Sequence, residues 1–168
     1  MFRRAVLLIA AVLVVTIAIV IGVGYALPQN HVVSRTISVP APPDEVFAAI
    51  WNVDRYPNWR SDVQRVEVLG LDPVRWRELS GGDTITYEVA ERRRPELLTV
   101  RIADPDLPFG GTWTYELVPE GSGTRLTITE RGEVYNPFFR FMSRFVFGHT
   151  ASIDRFAAAL TAHLSPHH

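Results

Sequence analysis

One candidate for acid–base chemistry in this sequence is Glu130, in the strand-like run TRLTITERGEV. Glu130 shares its side of the predicted strand with Leu126 and Ile128, whereas Thr127 and Thr129 point the opposite way. A carboxylate that faces an apolar interior is costly unless it is paired or protonated. Glu130 is therefore a candidate catalytic acid or base. The alternatives are a structural ion pair, or a bulge that turns the side chain to solvent.

A second catalytic candidate, His149, lies in an apolar stripe near the C-terminus. The stripe steps by three or four residues, which predicts one continuous helix of about seven turns. A histidine that faces a cavity can bind a polar ligand group or transfer a proton. The alternative is a packed histidine bonded to a backbone carbonyl or to water. The stripe consists of Phe138, Met142, Phe145, His149, Ile153, Phe156, Leu160 and Leu164.

Composition excludes several kinds of site. The sequence has no cysteine, which rules out disulfides, thiol catalysis and thiolate metal ligands. All 17 basic residues are arginine, so the chain has no lysine to form a Schiff base. The net charge of -1 argues against a nucleic-acid partner, which requires a concentrated basic face. The remaining histidines lack metal-site spacing, so we expect no metal or other cofactor.

Aromatic side chains are concentrated on one face of the predicted strands. Trp76, Tyr87, Trp113 and Tyr115 all take the inward position of an alternating pattern. The polar tips of Tyr and Trp need partners that a dry core does not supply. These residues therefore form either an ordinary core or the lining of a ligand cavity.

The stretch IWNVDRYPNWRSDV carries further aromatic residues among charges. Trp51, Tyr56 and Trp59 are expected to close the narrow end of the sheet. In this interpretation Trp59 points inward, and the neighbouring charges, including Arg60 and Asp62, point outward.

Residues 5–27 contain no charge and consist mainly of Val, Ile, Leu and Ala. As a helix they are roughly 34 Å long, enough to cross a hydrocarbon core about 30 Å thick. Because Arg3 and Arg4 precede them, the positive-inside rule predicts a single-pass membrane anchor with a cytoplasmic N-terminus and an extracytoplasmic domain. The alternative is a signal peptide cleaved after Ala26, although its apolar core exceeds the usual length.

The rest of the chain is predicted to be one α+β domain at residues 33–164, with an anchor at 1–27, a polar spacer at 28–32 and a tail at 165–168. Seven alternating runs separated by turn residues predict an antiparallel sheet with one solvated face. APPDEVFAAIW predicts a helix that begins at its prolines. Asn136 is the expected N-cap of the long C-terminal helix.

The order of these elements and three stretches resemble the SRPBCC superfamily of START-like, polyketide cyclase/dehydrase-like domains. VPAPPDEVFAAIWNVDRYPNWRSDVQRVEVL is similar to the opening strand and helices, GTWTYELVPEGSGTRLTITERGEV to the last hairpin, and FMSRFVFGHTASIDRFAAAL to the closing helix. The resemblance implies a helix-grip fold, with a curved antiparallel sheet of about seven strands around a long C-terminal helix and a cavity between them. It also implies neighbouring first and last strands, which predicts an inward Arg35–Glu130 ion pair.

Three functions remain open on these grounds. The first is a membrane-tethered domain that binds a hydrophobic small molecule or lipid, with residues 5–27 in the membrane. The second is a cyclase/dehydratase-like enzyme that uses Glu130 and His149 for acid–base chemistry. The third is a scaffold with a filled core. The predicted cavity residues are Trp59, Trp76, Tyr87, Trp113, Tyr115, Glu130, Met142, Phe145 and His149.

Overall fold

The structure is a computed structural model that describes residues 2–148 and 150–165. Its first element is helix α1, Phe2–Ala26, in which Gly24 is the one buried residue. Apolar side chains on all sides of α1 leave it without a polar face, as in helices surrounded by lipid. The helix is long and apolar enough to cross a membrane, a property that it shares with signal sequences.

The predicted antiparallel sheet of seven strands is confirmed. Its strands are β1 (Asn30–Val39), β2 (Val63–Leu71), β3 (Val74–Ser80), β4 (Asp83–Arg93), β5 (Leu97–Ile102), β6 (Phe109–Glu120) and β7 (Gly123–Val134). Their order is β1-β7-β6-β5-β4-β3-β2, so the first strand of the domain lies beside the last.

The domain begins earlier than the sequence predicted. Asn30 pairs with Glu133 of β7, so residues 30–32 belong to strand β1 and not to the spacer. Residues 27–29 alone separate α1 from the sheet. A link this short keeps the end of α1 next to the domain.

The remaining elements are helical. Helix α2, Pro43–Trp51, begins at its prolines as predicted and is followed by a 3-10 turn, Val53–Asn58. Helix α3, Pro137–Met142, begins at the predicted cap, where the Asn136 side chain accepts a hydrogen bond from the Phe138 backbone N–H. A π turn, Ser143–Phe147, follows, and helix α4, Ala151–Leu164, ends the fold.

The prediction of one continuous C-terminal helix is wrong. At Gly148 the backbone takes φ 74° and ψ 155°, an extended conformation that few residues other than glycine adopt. The apolar stripe is therefore divided. Ile153 and Leu160 of α4 are fully buried, whereas Phe145 in the π turn is 60% exposed.

Helix α4 packs on the inward face of the sheet, where it completes the core. Ile153 and Leu160 lie with Leu126 and Ile128 of β7 in one cluster, and all four side chains are fully buried. Each buried aliphatic side chain of this size contributes roughly 1.5–3 kcal/mol to folding. This cluster holds α4 to the sheet at one end of the domain.

Truncating Leu160 tests how much the contact between α4 and the sheet contributes to stability. We expect Leu160→Ala to lower the free energy of unfolding by about 2–5 kcal/mol, because it leaves a cavity in a packed site. The matched control, Leu71→Ala, removes the same atoms from a side chain that is 79% exposed. Urea denaturation of the full chain in detergent, followed by tryptophan fluorescence, measures both. Equal effects of the two substitutions would contradict this packing.

Candidate functional site

Two adjoining hollows lie between the sheet and α4. The inner cavity has a volume of about 220 Å³, and the outer cavity has a volume of about 490 Å³. Ile85, Tyr87, Trp113 and Ser152 line both, so these residues form the boundary between the two spaces. The candidate site is this pair of cavities.

Aromatic rings form the wall of the inner cavity. Trp76 and Tyr87 stack with their ring centroids 5.5 Å apart. Phe156 of α4 lies against the opposite rings, 6.0 Å from Trp113 and 5.4 Å from Tyr115. All four predicted strand aromatics therefore line the inner cavity. The part of α4 that touches them is Phe156.

Other predicted cavity residues lie elsewhere. Met142 and Phe145 line neither cavity, and Phe145 is 60% exposed. Trp59 also lies outside both, since its ring is packed between Phe156 and His163, 5.6 and 5.5 Å away. His149 falls outside the residues that the structure describes.

A buried ionic cluster forms the polar end of the inner cavity. Arg60 Nη1 donates to Glu78 Oε2 at 3.1 Å, and Arg60 Nη2 donates to Asp62 Oδ2 at 2.8 Å. Trp76 Nε1 donates to the other Glu78 oxygen at 2.9 Å. Glu78 is 3% exposed. This ion-pair cluster fixes the position of both Arg60 and the Trp76 ring.

Burial and the mutual contacts of the cluster shift the pKa values of its residues. Burial raises the pKa of Glu78, and the opposing effects of the Arg60 charge and the Trp76 hydrogen bond do not cancel it. Burial also disfavours charge on Asp62, but there the hydrogen bond and charge of Arg60 prevail and lower the pKa. Burial opposes the Arg60 charge too, yet Glu78 and Asp62 outweigh it and raise the pKa of Arg60. Arg60 therefore remains charged inside the domain.

The sequence analysis missed this cluster. The expectation that Arg60 and Asp62 point outward is wrong: their side chains are 13% and 21% exposed and meet Glu78 inside. A signal was present, because Glu78 has the same strand parity as the inward Trp76. An acidic residue on an aromatic inner face requires a cationic partner. Arg60 in the 50–63 stretch was available for that role.

Two tyrosine hydroxyls also belong to the inner cavity. Tyr87 and Tyr115 line it, and no hydrogen bond joins either hydroxyl to another residue in the described part of the chain. By contrast, the hydroxyl of buried Tyr56 donates to the Ile50 carbonyl at 2.6 Å. Burial raises the pKa of Tyr87 and of Tyr115, so both phenols remain protonated and can act as donors.

The predicted Arg35–Glu130 ion pair is not formed. Arg35 Nε instead donates to Asp154 Oδ1 at 2.7 Å. The register explains this difference, since Arg35 lies opposite Ile128, one pleat away from Glu130 and beside the first turn of α4. Arg35 thus attaches α4 to the edge strand. The hydrogen bond from Arg35 lowers the pKa of Asp154.

Glu130 lies instead in the outer cavity, between two polar groups. Its Oε2 accepts a hydrogen bond from Ser152 Oγ at 3.2 Å, and its Oε1 lies 3.4 Å from His31 Nε2. The His31 ring fits over Gly132, where an added Cβ would overlap it. Because the carboxylate separates the hydroxyl from the imidazole, this arrangement is not a serine–histidine relay. It is a carboxylate held by two partners at a cavity wall.

Across residues 2–148 and 150–165, no three His, Asp or Glu side chains lie close enough together to hold a metal ion.

Comparison with known families shows which family the chain belongs to. A sequence profile of the family described as polyketide cyclase / dehydrase and lipid transport matches residues 30–164. The chain belongs to this family. The resemblance to START-like domains that was predicted from the sequence is thereby confirmed. None of the curated proteins compared with the sequence matches it significantly.

Solved structures share the helix-grip fold of this polyketide cyclase/dehydrase and lipid transport family. A START superfamily protein from Mycobacterium smegmatis has a TM-score of 0.65 at 19% identity, covering 80% of this chain and 97% of that one. The Zhui aromatase/cyclase from Streptomyces sp. R1128 has a TM-score of 0.65 at 17% identity, covering 80% and 93%. Norcoclaurine synthase from Thalictrum flavum has a TM-score of 0.64 at 15% identity, covering 82% and 88%. Likeness at these identities establishes the fold alone.

The raised pKa of Glu78 predicts a specific pH dependence. Folded Glu78 keeps its proton at pH values where the unfolded chain has lost it, so the contribution of Glu78 to stability falls as pH rises past the ordinary glutamate pKa of about 4.3. Glu78→Gln cannot ionise. We therefore expect the difference in unfolding free energy, variant minus wild type, to increase with pH. Urea denaturation across the acidic to neutral range measures this difference.

The matched control for that experiment is Glu67→Gln, which removes an exposed carboxylate from strand β2. A difference that falls with rising pH for Glu78→Gln, or an equal rise in the control, would contradict burial as the dominant effect on Glu78.

Proposed function

We propose that this protein is a membrane-tethered domain that binds a hydrophobic small molecule or lipid in the inner and outer cavities. The observation that carries the proposal is an aromatic-walled hollow between sheet and α4, with two unbonded tyrosine hydroxyls among the described residues that line it. The family description includes lipid transport, which is in keeping with such a ligand.

The shape and lining of the cavities indicate what kind of ligand fits. The outer cavity falls within the range of roughly 300–1,000 Å³ that is typical of small-molecule sites. Its wall includes the apolar side chains of Ile85, Ile102 and Phe109. The inner cavity offers the Tyr87 and Tyr115 hydroxyls. An amphipathic ligand would place its polar group at these donors and its apolar part in the outer cavity.

The tether is helix α1. In this proposal Arg3 and Arg4 remain in the cytoplasm and α1 crosses the bilayer, so that the domain lies on the extracytoplasmic side. The exposed apolar surface of α1 supports this reading, because a soluble helix would have to bury one face. Residues 27–29 then keep the cavities close to the membrane surface.

Blocking the boundary between the cavities tests the binding function. We expect Ile85→Trp to weaken the uptake of a fluorescent fatty acid by tenfold or more (about 1.4 kcal/mol), because the larger ring fills the space at the boundary. The control, Val118→Trp, adds the same ring to an exposed position on β6. Titration of the full chain in detergent measures both affinities. Uptake that is equal in both variants, or absent in the wild type, would contradict the proposal.

A second candidate function is cyclase/dehydratase-like catalysis at Glu130. The observation that favours it is the Glu130 carboxylate at the wall of the outer cavity, held by Ser152 and His31. General acid–base catalysis requires such a group within hydrogen-bond reach of a substrate proton. His149, the other predicted catalytic residue, adds no geometric support because it lies outside the described residues. The third function, a scaffold with a filled core, is disfavoured by the cavity volumes.

Substitution at Glu130 separates binding from catalysis. If the protein is a binding domain, Glu130→Gln and His149→Ala retain the uptake of the fluorescent fatty acid within a fewfold. If it is an enzyme, these variants lose turnover by about 10²–10⁴-fold while still binding substrate. The measurement pairs the binding titration with mass-spectrometric analysis of polyketide-like substrates after incubation. Turnover by the wild type that either variant abolishes would favour catalysis over binding alone.

A further inference from the structure

We propose that residues 137–146, hereafter the aromatic segment, form a second membrane-contact element in the headgroup–acyl boundary of the bilayer that α1 crosses. The inference rests on the proposed membrane tether and adds an interaction surface to it. It also assigns an orientation to the domain, with the mouth of the outer cavity towards the lipid.

The aromatic segment exposes several large apolar side chains close together, and its rings contact one another in the pairs Phe138–Phe139 and Phe141–Phe145. Phe138, Phe139, Phe145 and Val146 are 46%, 44%, 60% and 59% exposed, and none of the residues of α3 is buried. Scattered exposed apolar residues are ordinary, but a contiguous patch marks a contact surface. This patch therefore has a partner that covers it.

The position of the aromatic segment beside α1 identifies the partner. Gly24 is the buried residue of α1, and a Cβ added there would overlap the carbonyl oxygen of Pro137. The segment therefore packs on α1 backbone to backbone. Gly24 lies about 4–5 Å before the end of the apolar stretch, at a rise of 1.5 Å per residue. This places the junction at the shallow edge of the depth of about 5–10 Å at which interfacial helices lie.

Arg140 strengthens this junction. Its Nη1 lies 3.5 Å from the carbonyl oxygens of Gly24 and Leu27, at the end of α1 where carbonyl groups lack helical partners. Its Nε donates to the Val134 carbonyl at 2.8 Å, and its Nη2 donates to the Tyr135 carbonyl at 2.9 Å. One guanidinium thus joins α1, strand β7 and the aromatic segment. The segment cannot move away from the exit of α1 without losing these contacts.

The composition of the aromatic segment suits a lipid boundary better than a protein partner. Phenylalanine and valine alternate with Arg140 and Arg144, and such mixtures of apolar and basic residues are typical of interfacial helices. The hairpin tip between β4 and β5, which carries Arg92, Arg93 and Arg94, is a weaker membrane candidate, because its charges are engaged within the domain. Arg92 lies over the Trp51 ring at 4.4 Å, and Arg93 pairs with Glu91 at 3.1 Å.

The same geometry places the outer cavity at the membrane. Phe139 and Ser143 of the aromatic segment line that cavity together with Leu107 of the β5–β6 loop. The loop is fixed to the start of the segment by a hydrogen bond from the Tyr135 backbone N–H to the Pro108 carbonyl at 2.9 Å. A lipid-soluble ligand would therefore pass between bilayer and cavity without crossing open water.

The absence of cysteine in the sequence makes a direct test simple, because single-cysteine variants carry one label each. We would label Phe145→Cys, Leu107→Cys, Ile17→Cys and Val118→Cys with an environment-sensitive dye. Each full-length variant is placed in phosphatidylcholine–phosphatidylglycerol nanodiscs with and without a nitroxide on the acyl chains. Ile17 lies within α1 and reports the tether. Val118 is the control, about 30 Å from Phe109 along β6 at 3.4 Å per residue.

The proposal predicts severalfold quenching by the nitroxide lipid at positions 17, 145 and 107, with the label at Val118 unaffected. Quenching at position 17 with no quenching at one or both of positions 145 and 107 overturns the proposal, while the tether stands. No quenching at position 17 overturns the tether and, with it, the proposal. Unchanged tryptophan fluorescence of each variant before labelling checks that these substitutions leave the fold intact.

Discussion

The break in the C-terminal helix at Gly148 is the constraint on which the rest of this structure depends. The positive φ of Gly148 interrupts the helix. Helix α4 therefore covers the sheet from Ala151 onward, and the preceding residues turn towards α1. The sheet surface around Glu130 is then only partly covered by α4, through Ser152, and it becomes part of the wall of the outer cavity. One backbone conformation thus separates a packed half of the domain from an open half.

The interior combines solid packing with buried polarity. At the packed end, Ile153, Leu160 and Phe156 hold α4 against the sheet. At the polar end of the inner cavity, Arg60 stays charged because Glu78 and Asp62 neutralise it, which allows an ionic group to lie beside aromatic rings. Such a cluster costs desolvation free energy, and it is stable only when every member is paired. Here it serves to fix the aromatic wall in place while the neighbouring tyrosine hydroxyls remain available to a ligand.

Much of this architecture is legible in the sequence because strand alternation records which side chains face inward. That pattern placed Trp76, Tyr87, Trp113 and Tyr115 on the inward face of the sheet, and the resemblance to a known superfamily supplied the pairing of the first strand with the last. Two features escaped it. The apolar residues keep a helical spacing through Gly148, although the helix itself is interrupted there. The spacing of residues carries no information about φ. Arg60 lies in a turn with no alternation to follow, so its inward direction depends on Glu78, which is distant in sequence.

The central claim is that α4 and the sheet enclose a space that holds a small molecule in the native protein. Native mass spectrometry of the full chain, purified in mild detergent, tests this claim most directly. The account predicts a population heavier than the bare chain by the mass of one noncovalent ligand, which dissociates on gentle collisional activation. The bare mass alone, obtained under several extraction conditions, would contradict it.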